Sequence, residues 1–72
     1  MVEVFKTNVI ESSHANMLVS QIHENFADYK ANFDLNDCDK ILRVKSYNGS
    51  VQSSLLINLI SDLGFYAEIL PD

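Results

Sequence analysis

A single cysteine, Cys38, among 72 residues excludes an intramolecular disulfide framework and fits a reducing compartment. Two glycines and one proline leave little chain for linkers or loose tails. Positive charge is scarce: five Lys and Arg stand against ten Asp and Glu, for a net charge of −5. Such a balance argues against nucleic acid, whose binding needs a basic stripe to displace counterions, and against anionic membrane surfaces. No apolar run approaches the roughly 18 residues of a membrane span. The opening Met-Val-Glu-Val-Phe-Lys has no charged-then-apolar leader pattern, so the cytoplasm is the expected location.

What is present suits one small core. Hydrophobic residues make up 47% of the chain and charged ones 21%, the balance of an ordinary globular protein. A chain this short buries only about 60% of its unfolded surface, so that core has to be efficient. With no repeat, low-complexity tract or composition break, residues 1–72 are expected to form one domain.

Val2 to Thr7 is rich in β-formers and predicts a first strand, with Val2 and Val4 pointing inward. Ser12 and Ser13 offer N-cap hydroxyls. Behind them Ala15, Leu18, Ile22, Phe26 and Tyr29 step by three or four along one helix face. Ala31, Phe33 and Leu35 then alternate with Asn32 and Asp34, and Leu42 and Val44 alternate with Ile41, Arg43 and Lys45. A turn over Asp37 to Lys40 sets Leu35 opposite Leu42, Phe33 opposite Val44 and Asp34 opposite Arg43. Tyr47-Asn48-Gly49 is a turn and Ser50 a second N-cap. Val51, Leu55, Leu56, Leu59, Ile60 and Leu63 form the second helical stripe, ended by Gly64. Phe65 to Leu70 is the last strand. This order predicts an α+β fold of the ferredoxin-like βαββαβ type, with a four-stranded antiparallel sheet in the order 4-1-3-2 and two helices on one face.

Ile60-Ser-Asp-Leu-Gly-Phe-Tyr-Ala-Glu-Ile-Leu70 resembles the ending of the heavy-metal-associated (HMA) domain: a helix, Leu-Gly-Tyr/Phe and an Ala-containing strand. The order and lengths of the elements match that family over essentially the whole chain. A ligand-sensing ACT-type domain shares the topology, but the Leu-Gly-Phe ending favours the first comparison. The resemblance implies a metal site between the first strand and first helix, where the family carries Met-x-Cys-x-x-Cys. Aligned on Leu18 and Ile22, the two thiolate positions fall on Glu11 and His14, with Val9 in place of the methionine. Cu(I) prefers two soft thiolates, so the usual copper site is not expected here.

Glu11 and His14, with Cys38 or water completing the shell, could hold a borderline ion such as Zn²⁺ or Ni²⁺ weakly. The plainer reading leaves Glu11 near the helix dipole and His14 solvated in the first turn. Cys38 lies between Asp37 and Asp39, whose carboxylates blunt a thiol as a nucleophile. His23 falls on the polar side of the first helix with no partner in sequence. There is no nucleophile elbow, glycine-rich phosphate loop or carboxylate pair, so an enzyme is not expected and no resident cofactor is implied.

The stronger expectation is an interaction module. With Val2 and Val4 inward, the open sheet face would carry Phe5, Ile41, Tyr66 and Leu70 among polar residues, a contact surface for a protein partner or a second copy. Central-strand aromatics in a basic field, the mark of RNA-binding sheets, are missing from Ile41-Leu-Arg-Val-Lys-Ser46.

Overall fold

The strand β1 (Val2–Thr7) is paired on both sides, antiparallel to β3 (Ile41–Ser46) and to β4 (Ala67–Ile69). The β2 strand (Tyr29–Asp34) closes the other edge against β3, and helices α1 (Ser12–Asn25) and α2 (Ser53–Asp62) complete the chain. The order β2-β3-β1-β4 is the expected 4-1-3-2 read from the opposite edge, and the fold is ferredoxin-like α+β. This computed structural model describes residues 1–71; Asp72, the last residue of the expected domain, lies outside the described residues. Among those described, no helix is long and apolar enough to cross a membrane.

One core lies between the helices and one sheet face. Ala15, Leu18 and Ile22 of α1 and Leu56 and Ile60 of α2 meet Phe5, Ala31, Leu42, Val44 and Ala67 of the sheet. Gly64, at φ +94°, ends α2 in the left-handed conformation. Its N–H donates to the Ser61 carbonyl and the Phe65 N–H to that of Ile60, the paired bonds of a Schellman cap. That cap turns the chain back into β4.

Several details depart from the sequence reading. The largest is the facing of β1. Phe5 is fully buried in the core, opposite Leu42, whereas Val2 is 56% exposed and Val4 half-buried on the open side. The inward parity runs Phe5, Thr7, Val9, all buried. A phenyl ring removes more apolar surface from water than a valine does, and the two parities cannot both win. Thr7 fits the inward row because its Oγ1 donates to the Lys40 carbonyl (2.6 Å) and accepts from the Val9 N–H (3.2 Å).

The β2-β3 hairpin keeps its expected faces but slips by two residues. Phe33 lies opposite Leu42, Asn32 opposite Arg43 and Asp34 opposite Ile41, so the Asp34–Arg43 pair is not formed. A two-residue slip preserves parity and lengthens the loop to Leu35–Lys40. Local bonds hold that longer loop. The Asp37 carboxylate accepts the Asp39 N–H, Lys40 takes φ +50°, and Lys40 Nζ reaches the Leu35 carbonyl at 2.9 Å.

The helix limits also shift. Glu11, not Ser12 or Ser13, is the N-cap of α1, and Gln52, not Ser50, that of α2; neither makes a side-chain capping bond. Tyr29 belongs to β2 instead of the α1 stripe, stacked on Phe26 with ring centroids 4.7 Å apart. Its hydroxyl accepts the Gln52 N–H at 2.6 Å, tying β2 to the start of α2. Leu55, expected in the buried stripe, is 50% exposed.

Candidate functional site

Two regions answer the sequence-based expectations: the end of the sheet that bears the β1–α1 loop, and the sheet face without helices.

At the first, Glu11 and His14 sit one helical turn apart at the start of α1, with His14 Nδ1 3.6 Å from Glu11 Oε2. The His14 ring rests against Phe65 at 5.1 Å between centroids, so α1 and the α2–β4 loop meet there as the topology requires. Cys38 does not join them. Among the described residues, the Cys38 ligand atom groups instead with those of Asp37 and Asp39, all within 4.8 Å of one another. These two carboxylates already have work in the loop: Asp37 accepts the Asp39 N–H, and Asp39 lies 4.0 Å from Lys6 Nζ. A two-thiolate Cu(I) site does not fit these residues, which offer one carboxylate and one imidazole where soft sulfurs would be needed.

The open face is set by strand alternation. Val2, Val4 and Lys6 project from β1, Lys30, Asn32 and Asp34 from β2, and Ile41, Arg43 and Lys45 from β3. Across the strands they form rows: Lys30, Lys45 and Val2, then Asn32, Arg43 and Val4. Lys6 lies opposite Glu68 of β4. Tyr66, 53% exposed, donates its hydroxyl to Glu68 Oε2 at 2.9 Å. That bond, with a lesser contribution from desolvation and from the carboxylate's charge, raises the phenol above its ordinary value of 10.0. Half-buried Leu70 continues the β1–β4 pairing, its N–H donating to the Val4 carbonyl.

Of the four apolar residues expected on this surface, two therefore serve elsewhere. Phe5 points into the core, and Ile41, though outward by register, is only 4% exposed. Val2 and Val4 take their place, Val4 next to Leu70, while Tyr66 lies beyond the Lys6–Glu68 row. The sequence reading also missed Lys6 and Lys30, the first because β1 was turned over and the second because β2 begins at Tyr29. His23 has a partner after all: its Nε2 accepts the Ala31 N–H of edge strand β2 at 3.1 Å. The parity of Phe5, Thr7 and Val9 was a readable sign of the β1 facing, whereas nothing near His23 in sequence marks its bond.

No family model, no curated protein and no solved structure matches this chain.

Proposed function

We propose that the protein is a non-enzymatic interaction module whose open sheet face docks a protein partner. One observation carries this reading. Both helices pack on one side, while the other presents Val2, 56% exposed, with half-buried Val4 and Leu70 next to it, and Tyr66, 53% exposed, beyond the Lys6–Glu68 row. Adjacent apolar groups on one solvent face mark contact surfaces, whereas scattered ones carry no such meaning. The resemblance to heavy-metal-associated domains agrees with a small module that works by contact, here with its thiolate positions replaced.

A photo-reactive side chain at Val2 tests it. Cross-linking to one discrete protein, or to a second copy, from Val2 and not from exposed Asn16 of α1 is the expected result. Indiscriminate or absent cross-linking from Val2 would remove the proposal.

The Glu11–His14 pair supports a second reading, weak Zn²⁺ or Ni²⁺ binding. Two ligands fall short of the four of a structural zinc site, and the positive end of the α1 dipole opposes a cation there. Calorimetry should give weak Zn²⁺ binding that disappears in His14→Ala. Tight stoichiometric binding would reverse the ranking of the two readings.

A further inference from the structure

The face that carries the docking reading has a charge opposite to that of the chain. Lys6, Lys30, Arg43 and Lys45, four of the five cations, all project from it and all are exposed. Against Asp34, Glu68 and Asp39, the last 4.0 Å from Lys6 Nζ, they leave this face at +1; the chain's net −5 then puts −6 on the remainder. Lys40 is the one cation elsewhere.

Three of the four cations have no carboxylate within ion-pair distance among the described residues: Lys30, Arg43 and Lys45. Lys45 Nζ instead lies over the Tyr47 ring, 5.0 Å from its centroid. Lys30 and Lys45 are direct cross-strand partners, a like-charge arrangement that destabilises an isolated sheet. In a chain with a twofold excess of acids, carboxylates were available for these positions. Salt screens charges through solvent over about 8 Å at physiological ionic strength, so a ligand at the sheet interacts mainly with the cations it touches.

We propose that the partner presents an acidic polypeptide segment, whose carboxylates meet Lys30, Arg43 and Lys45 while its apolar side chains meet Val2 and Val4. This rests on the docking reading above and names the partner's chemistry. Charge complementarity selects the occupant. A second copy placed face to face would set these cations against each other. Nucleic acid fits less well, because the outward residues of the central strands β1 and β3 include no aromatic ring on which a base could stack.

The test is a titration of the labelled protein with an oligoglutamate peptide, followed by amide shifts, beside an oligothymidylate of equal length. Shifts on Lys30, Arg43, Lys45 and Val4 that fade with added salt are expected. The double variant Lys30→Glu, Lys45→Glu should keep the fold and weaken binding roughly tenfold or more, the scale of close interfacial charge pairs. Absent binding, or binding indifferent to the double variant, would overturn the proposal; so would tighter binding of the oligothymidylate. Salt-sensitive self-association lost in the same variant would make the occupant a second copy and overturn it too. The two readings fail separately: if Val2 cross-linking finds a partner equally well in the double variant, docking stands and the acidic segment falls.

Discussion

On the helix side of the sheet, Phe5, Ala31, Leu42, Val44 and Ala67 are each 5% exposed or less, whereas on the open side the first three strands present Lys6, Lys30, Arg43 and Lys45 to solvent. The two faces share a backbone and differ only in the parity of the side chains. A period of two lets one short strand serve both the core and a charged surface, at the risk that a one-residue slip exchanges them. In this protein the exchange would put a phenyl ring in water and a lysine in the core. Substitutions on the two faces should therefore differ widely in cost.

The most damaging change should be Phe5→Ser. Removing a buried aromatic typically costs about 3–5 kcal/mol, and the serine hydroxyl would lie in the core besides. Against a stability of roughly 0.1 kcal/mol per residue, little would remain. Urea denaturation should show loss or near-loss of the cooperative transition, and an unchanged midpoint would place Phe5 on the open face instead.

A second contrast lies within α2. Leu56 is fully buried and Leu55 half-exposed, one residue apart. Leu56→Ala should cost about 2–5 kcal/mol, and Leu55→Ala about 0.5 kcal/mol or less, as at ordinary surface positions. Equal losses in thermal melts would mean that Leu55 is covered.

His23→Ala should cost about 0.5–1.5 kcal/mol, the net worth of one hydrogen bond. Its sharper sign is local: hydrogen exchange at the Ala31 amide should accelerate, while that at Val44 follows global stability only. His23→Gln should restore part of the protection if its amide oxygen reaches the same N–H. The imidazole covers a free N–H on an edge strand, the kind of group that invites unwanted pairing.

The smallest effect should be a gain. Lys45→Glu removes the direct opposition to Lys30 and should raise stability by about 0.2–1 kcal/mol at low ionic strength, fading as salt is added. A loss of similar size would mean that the cation over Tyr47 matters more than the repulsion across the strand.

Much of the architecture is legible in the chain itself. Helix stripes around Ala15, Leu18, Ile22 and around Leu56, Ile60 mark α1 and α2, and Gly64 marks the end of the second. The alternation of Phe33, Leu42 and Val44 assigns the hairpin faces correctly even though the register is off by two, because a two-residue slip does not change parity. The element ends were less legible. Phe26 and Tyr29 continue a helical spacing past Asn25, yet their rings stack across the α1–β2 connection, a tertiary contact that local periodicity imitates.

The candidate surface was the least legible part, and one strand accounts for most of the difference. Val-Glu-Val-Phe-Lys-Thr has apolar residues on both parities, so alternation alone does not say which row is inward. Turning β1 over removes Glu3 and Phe5 from the open face and supplies Val2, Val4 and Lys6, which converts a mixed surface into a basic one. Glu11 and His14 do converge at the start of α1, as their spacing of three allows, but the approach of Cys38 depended on a hairpin loop whose path is set by its own Asp37 and Lys40 bonds.

The order of elements, the ferredoxin-like plan and the capping glycine follow from local spacing and backbone preference along the chain. Which way β1 faces, which residues oppose one another in the hairpin, and the gathering of four scattered cations on one surface emerge from long-range packing. The physical reason is that these depend on competition between side chains for a common core: Phe5 fits against Leu42 beneath the helices, and once it does, Lys6 must point the other way.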